Sequence, residues 1–503
     1  MTSLWLDRAP GIPTDPFPDG GRFDAVVVGG GLTGMTTALL LARAGRSVAV
    51  LEARSVGAVT TGNSTAKLSL LQGTRLSALL GANGRIVLSA YVDSQRAAVE
   101  WLVEYLSDSG VEFDYRDAVT YAATPEEESS IRREYDTARL AGLPVVLDPR
   151  ADLPFETFGA VVLARQVQFD PMEVLARLTA DVRDAGGVVV EGVRARRVRA
   201  GDPVRVGTDA GELLADRVVL ATGIPVLDRG LYFAKVEAQR SHVVAFEVPE
   251  QDRRESGMFL SAGQPARSIR WHRGLLLVGG DGHPTGRASS DADPYAEIET
   301  WTREHWPLAR RTHAWSAQDY AAASHVPFVG PLPRGRGRVL LATGFEKWGM
   351  TGAVSAALTL AADLGAADRT DWMRVLRHRI TLPQALARGI GANARVLTWY
   401  ARSWASALAR TNALPEGMLR ARGILPAVVD PAAPDDCPMS LVCPHLGAVV
   451  RWNGAERSWD CPAHGSRFSA DGALLEGPAR RGLRSVEGVP AERKVSDAFV
   501  APG

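Results

Sequence analysis

The chain has 503 residues with 57 basic and 57 acidic side chains, too long for one ordinary core and without the charge excess that an obligate nucleic-acid or anionic-membrane partner calls for. Its three cysteines, Cys437, Cys443 and Cys461, all lie near the C-terminal end; they are too few and too clustered for a disulfide framework and suit metal binding better. The opening stretch MTSLWLDRAPGIPTDPFPDG has acids and prolines where a signal peptide needs apolar residues, and no apolar run reaches the roughly 18 residues that span a bilayer, so a cytoplasmic setting is expected.

Ala25 to Val28 reads as a short buried strand. Gly29, Gly31 and Gly34 follow at G-x-G-x-x-G spacing, then an Ala/Leu-rich helix ending near Gly45, then a strand from Ser47 to Leu51 closed by Glu52. In this order they form the dinucleotide-binding fingerprint. The glycines let a pyrophosphate approach the backbone at a helix N-terminus, and the carboxylate suits a ribose hydroxyl. The pattern does not choose between FAD and NAD. Residues 217–225, RVVLATGIP, read as a strand ending in the small-residue turn Ala221-Thr222-Gly223, fit to lie near a dinucleotide. Gly280, Gly282 and Gly286 imitate a second nucleotide motif, but Pro284 and the acidic residues beyond it leave no helix to receive a pyrophosphate. A turn beside a substrate cavity is expected there, and no nicotinamide site. Residues 338–365 repeat the strand, glycine-rich turn and helix, with Gly344 in the turn. The amides of Gly349, Met350 and Thr351 would open that helix and can face an electron-rich cofactor edge.

Together these segments resemble the flavoprotein superfamily of D-amino-acid oxidase, glycine oxidase and sarcosine oxidase. The resemblance implies FAD, with its ADP half on the first segment and its ring against the last. It also implies a loop along the flavin at TTGNSTAKLSLLQG (60–73), which includes Thr65. QVQFDPMEVLARL (166–178) matches that superfamily's entry to a helix before a strand, here GGVVVEGV. DRGLYFAKVEAQRSHVVA, GGDGHPTG, WSAQDY and GFEKWGMT resemble more closely a bacterial subgroup of FAD-dependent oxidoreductases that carry a C-terminal Rieske domain. The text departs from that subgroup's pattern at Gln72, His242 and Ser324. The implied architecture is α/β. An FAD-binding Rossmann-type domain, with segments near 22–75, 150–225 and 325–365, and an interleaved antiparallel-sheet substrate domain would share residues 1–390. A helical linker at 391–420 and a small all-β Rieske domain at 421–503 would follow. In the linker, Val396, Tyr400, Trp404 and Leu408 at i, i+4 spacing, with Leu397 alongside, make one apolar stripe that is expected to pack on the flavin domain.

The tail offers Cys443-x-His445 and, after a gap of 15 residues, Cys461-x-x-His464. Zinc fingers pair cysteine with cysteine and histidine with histidine. Here each loop supplies one sulfur and one nitrogen, which is what a Rieske [2Fe–2S] centre needs, thiolates on one iron and imidazoles on the other. Zinc is the alternative. Gly447 and Gly465 permit tight turns whose amides can point at the cluster. Resemblance to the Rieske fold implies a covering loop at Gly477-Pro478-Ala479. Ala448 and Ala463 stand where respiratory-complex Rieske proteins carry a disulfide, and Phe468 where they carry a hydrogen-bonding tyrosine, while Ser466 is kept. Fewer hydrogen bonds to sulfur imply a potential towards the low end of the Rieske range, roughly −150 mV. Cys437 reads as a buried thiol. The other histidines, His242, His272, His283, His305, His313, His325 and His378, form no helical cluster with carboxylates, so a mononuclear-iron oxygenase is not expected.

A flavin accepts a hydride, two electrons at once, and a Rieske cluster carries one. The expected function is therefore an FAD-dependent oxidoreductase that oxidises a small molecule and passes single electrons through the cluster to an acceptor protein. By analogy of fold the substrate has an amine or amino-acid-like C–N bond. Two alternatives stand beside it: reverse flow, in which a donor feeds the cluster and the flavin reduces or oxygenates the substrate, and an electron carrier with no small-molecule substrate. Candidate anchors or catalytic groups are Arg270, a bidentate carboxylate clamp, with His272, Tyr320, Lys347 and Trp348. Trp271, Trp315, Gln318 and Asp319 come from the same stretches. Hydride transfer to a flavin needs no dedicated base.

Overall fold

A computed structural model describes residues 2–289, 292–379, 382–421, 425–429 and 438–486; Cys437 lies outside the described residues. The chain divides into two compact units, Met1–Pro284 with Asp293–Asn393, and Thr285–Ala292 with Ala394–Gly503.

Unit 1 holds two sheets. The first has eight strands, and its central run is Val339–Thr343, Glu212–Leu220, Arg22–Val28, Val48–Leu51 and Val188–Val190, each parallel to its neighbour. Phe328–Pro331 adds antiparallel at one edge. Val26, Val27, Val48, Ala49 and Val50 have no measurable exposure. Strands covered on both faces read as unbroken apolar runs, and each such valine contributes roughly 1.5–3 kcal/mol by leaving water. The helices Leu32–Arg43 and Gly349–Asp363 pack together on this sheet. Both are almost wholly buried, hence their Ala, Gly and Leu content.

The second sheet has nine strands and is antiparallel except where Gly257–Ser261 runs alongside Phe113–Tyr121. Its order is Arg310–Ala322, Val236–Glu247, Leu275–Pro284, Ser268–His272, Gly257–Ser261, Phe113–Tyr121, Ala160–Phe169 and Lys67–Leu68, with Val146–Asp148 paired off this path. Of the glycines expected in a turn beside a substrate cavity, Gly280 and Gly282 lie on the strand Leu275–Pro284, whereas Gly286 belongs to unit 2.

Unit 2 carries small antiparallel sheets: Leu419–Arg420, Ala427–Val429 and Met439–Ser440; and Arg451–Asn453, Ser458–Asp460, Arg467–Ser469 and Leu474–Glu476. The 26-residue helix Pro383–Leu408 runs unbroken through the expected linker boundary. Its stripe does not do what its spacing led us to expect. Val396, Tyr400 and Trp404 pack, with Ala407, on the core that contains Cys443 and Cys461, while Leu397 and Leu408 are exposed. Periodicity shows that a face is covered; it carries no information on what covers it.

Candidate functional site

The first centre is the glycine turn of unit 1. Gly29 has φ +115° and its amide bonds Leu51 O at 2.9 Å; a Cβ there would meet Ala221 O at 2.4 Å. A Cβ on Gly34 would stand 1.9 Å from Gly29 O, so the helix can start this close to the strand only without a side chain. Gly31 is the helix N-cap. Glu52 accepts from the Gly30 and Arg54 amides, each at 2.8 Å. Burial pushes its pKa up, and those two amides oppose the shift. Thr61, which the motif does not single out, accepts from the Leu32 amide at 3.1 Å. Thr65 is half-buried just ahead of Ala66, which has φ 49°.

Two further segments meet the same sheet. The Ala221 amide bonds Val28 O at 2.8 Å and Thr222 Oγ1 donates to Ile224 O at 2.6 Å. Gly223, φ 72°, lies beneath the Tyr320 ring. Gly344 (φ 87°) opens the turn before the helix Gly349–Asp363, and Glu346 (φ 52°) and Lys347 (φ 68°) are both left-handed. Two such residues in a row need outside support, and Arg75 and Asp319 provide it. Arg75, buried, donates to Phe345 O at 3.2 Å, Glu346 O at 2.9 Å and His325 O at 2.6 Å, and pairs with the Glu346 carboxylate at 3.3 Å. Asp319 accepts the Lys347 amide at 2.5 Å. Burial pushes Asp319 up to about 6, with the Tyr320 and Lys347 amides opposing; desolvation lowers Lys347. No side chain caps the helix start at Gly349, Met350 and Thr351. Thr351 is fully buried and meets Gln72 Nε2 at 3.2 Å. Gln72 in turn accepts from Tyr91 at 2.7 Å.

Tyr320 meets this turn, which carries Lys347 and Trp348, through its carbonyl, which accepts from the Glu346 amide at 3.0 Å; its ring packs with Ile224, Val236 and Ala238, and Gln318 Nε2 donates to its hydroxyl at 3.0 Å. Arg270 and His272 do not join them. Arg270 has no exposed surface, donates to Ala66 O at 2.8 Å and Phe169 O at 3.3 Å, and lies over the Trp5 ring at 5.1 Å. His272 packs edge-on to Trp5 at 4.7 Å, and burial with nearby Arg270 holds its pKa down to about 3. These contacts make both residues part of the core that seats the N-terminal helix Leu4–Asp7, and they correct the expectation of a carboxylate clamp. Trp315, 1 % exposed, donates to Asn63 O at 2.9 Å and is likewise core. Arg75 escaped sequence reading because no motif marks it and its partner Glu346 is 271 residues away.

The second centre lies in unit 2, where two loops repeat one turn. Gly447 N bonds Cys443 O at 3.0 Å and Gly465 N bonds Cys461 O at 3.1 Å, with φ of 79° and 76°. Cys443 N bonds Ala448 O and Cys461 N bonds Ser466 O, each at 2.8 Å. The thiols of Cys443 and Cys461 are within hydrogen-bonding reach of each other and 2 % exposed. The His445 amide and the Ser466 side chain bond Cys443, and the His464 and Ala463 amides bond Cys461. The imidazoles of His445 and His464 are half-buried, with ring centroids 5.1 Å apart. The adjoining thiols and the adjoining imidazoles make a sulfur pair and a nitrogen pair. That donor set fits a [2Fe–2S] cluster with two imidazole ligands. Ala479 N bonds Ser466 Oγ at 3.1 Å, and Gly477 lies against Ser466, so the Gly477–Ala479 loop packs on the second ligand loop. Trp404 Nε1 and Tyr400 OH donate to Gly447 O and Leu446 O on the first, at 3.0 and 3.3 Å. Buried Arg467 ties the strand ahead of Cys461 through Asp460 at 3.0 Å, Glu476 at 2.6 Å and Glu456 at 3.3 Å.

A family model described as FAD dependent oxidoreductase, DAO, matches residues 24–363, and a Rieske [2Fe-2S] domain model matches residues 435–487. The chain is 28% identical to YhfW of Bacillus subtilis (strain 168), described as a Rieske 2Fe-2S iron-sulfur protein, over 97% of this chain and 96% of that one. The cytochrome b6-f complex iron-sulfur subunit of Synechococcus sp. (strain JA-3-3Ab) is 44% identical over 59 residues, 12% of this chain and 34% of that one. Among solved structures, glycine oxidase from Geobacillus kaustophilus superposes with TM-score 0.58 at 19% identity, covering 70% of this chain and 96% of that one. L-amino acid deaminase from Proteus vulgaris gives TM-score 0.59 at 14% identity, covering 74% and 100%. L-proline dehydrogenase from P. horikoshii gives 0.57 at 17%, covering 73% and 96%. At these identities the likeness is one of fold. No helix among the described residues is long and apolar enough to cross a membrane.

Proposed function

Because this chain belongs to the DAO family of FAD-dependent oxidoreductases and ends in a Rieske [2Fe–2S] domain, we propose that it oxidises an amine or amino-acid-like C–N bond and delivers single electrons to an acceptor protein. One observation carries the reading: a single chain holds both the dinucleotide cradle and the paired buried thiols with half-exposed imidazoles. Bound FAD accepts substrate electrons in pairs, and a [2Fe–2S] centre handles them singly. Gly29, Gly31, Gly34 and Glu52 would hold the dinucleotide half. Thr65, Ala221, Thr222, Gly223 and Gly344 would line it, and the amides of Gly349, Met350 and Thr351 would face the ring. Cys443 and Cys461 would hold one iron, His445 and His464 the other.

The relatives of like fold that are named glycine oxidase, L-proline dehydrogenase and L-amino acid deaminase support the substrate class. With Arg270 enclosed in the core, Tyr320, Lys347 and Trp348 are the proposed substrate-side group. The Asp319–Lys347 pair, one raised to about 6 and the other lowered, can hold a proton beside them. A reducing, cytoplasmic compartment suits the two thiols.

The test starts with dithionite reduction of the purified protein without air, followed by EPR and an iron count. A rhombic signal typical of a histidine-ligated cluster, with two irons per chain, is expected. Amines and amino acids are then added anaerobically. Flavin bleaching followed by that signal supports substrate oxidation; bleaching only from a reduced donor protein, with no response to any substrate, points to reverse flow. Zinc without a signal would sink the cluster reading.

A further inference from the structure

Residues Thr285–Ala292 stand in the sequence between the strand Leu275–Pro284 and the helix Pro294–His305, yet they belong to unit 2, together with the four proposed ligands. Gly286 lies flat on the second ligand loop. Its φ is +73°, and a Cβ there would be 2.8 Å from the Cys461 carbonyl carbon, 2.8 Å from Pro462 N and 3.0 Å from Asp460 O. The turn is secured on both sides of this contact. Arg451 donates to Gly286 O at 3.1 Å, and Arg287 Nε donates to Pro462 O at 2.9 Å. Thr285, ahead of them, is 2 % exposed. Pro462 is the residue between Cys461 and the Ala463-His464 pair, so its carbonyl orientation helps decide where the Cys461 sulfur and the His464 ring point.

We propose that Gly286 and Arg287 are positioning residues of the [2Fe–2S] centre, forming a fourth wall beside its two ligand loops and the Gly477–Ala479 loop. Gly286 lets two backbones touch. Arg287 fixes the Pro462 carbonyl and sets a permanent positive charge at the loop. One-electron reduction adds a negative charge to the cluster, so a nearby guanidinium favours the reduced form and raises the potential. The inference rests on the Rieske reading and adds to it two residues from a stretch that neither ligand motif includes.

The full-length holoprotein is compared with R287Q, R287K and G286A, reading iron and FAD per chain, EPR g values and an EPR-monitored midpoint potential. We expect R287Q to lower the midpoint, a several-fold fall in the reduced-to-oxidised ratio at fixed ambient potential, and R287K to stay nearer wild type. G286A should lose most of its iron and keep its FAD. If G286A loses FAD as well, the two Arg287 variants decide. An unchanged midpoint and unchanged g values in R287Q, with full iron, would overturn the proposal. A wild-type protein without the Rieske signal would instead overturn the cluster reading beneath it.

Discussion

Lys67 shows how far a single residue can depart from its type. Buried on its short strand, it donates to Phe259 O and to Ser268 Oγ, both at 2.8 Å. Burial, with Arg270 nearby, brings its pKa down from 10.5 to about 7. The folded pKa lies below the unfolded one, so the unfolded chain binds the extra proton between those limits. Stability is complete above 10.5 and is lost as pH falls through about 7. A shift of this size is of order 5 kcal/mol by linkage. We expect the thermal midpoint of wild type to climb between pH 7 and 10 relative to K67M, and a parallel pair of curves would refute it. Asp319 runs the other way. Its pKa rises from 3.8 to about 6, so its stability is present below 3.8 and lost as pH rises through about 6. The midpoint of D319N should therefore pull ahead of wild type across that window and keep a constant lead above it. Neither shift is legible in sequence, because Lys67 and Asp319 look like ordinary strand residues until their partners surround them. Arg270 misled for the same reason: an arginine beside an aromatic stretch suggests a clamp, and only its contacts with Ala66, Phe169 and Trp5 show a core residue.

The elements were more legible, and unequally so. The strand, glycine turn and helix at the head follow from local rules, since Gly29 needs φ +115° and Gly34 needs room for a carbonyl. G34A puts a methyl group 1.9 Å from Gly29 O and should weaken FAD binding by at least about tenfold, about 1.4 kcal/mol, while iron content stays normal. Loss of both cofactors would mean that the turn supports more than the dinucleotide. The turn Phe345 to Trp348 tells a different story. Its two left-handed residues are not glycines, so sequence gives no hint of the conformation. Arg75 holds it from a distant helix, and R75M would leave Glu346 without its buried cation. A cost of roughly 3 kcal/mol or more, read as a lower denaturation midpoint with FAD release, is expected. The helix Pro383–Leu408 was recognisable by its period, but its stripe faces the core around the proposed ligands.

At the scale of the molecule the two chemistries should be separable by mutation even though they share a chain. C443S removes one proposed sulfur ligand from unit 2 and changes no residue of the flavin cradle. We expect FAD to remain at one per chain and substrate to bleach it as in wild type. Iron should be lost and electron delivery to a one-electron acceptor should fall sharply. Unimpaired delivery in an iron-free C443S protein would show that the cluster is not the exit. Sequence alone determined which two chemistries are present, because G-x-G-x-x-G and Cys-x-His with Cys-x-x-His are constraints on backbone clearance and donor chemistry that act within a few residues. It determined the fold class too, through buried runs and periods that reflect local burial. Only tertiary structure decided which other side chains serve those centres. Arg75 reaches Glu346 across 271 residues, and Arg287 reaches Pro462 across 175. Contacts at that separation are set by packing, and packing leaves no signature in the spacing of the residues it brings together.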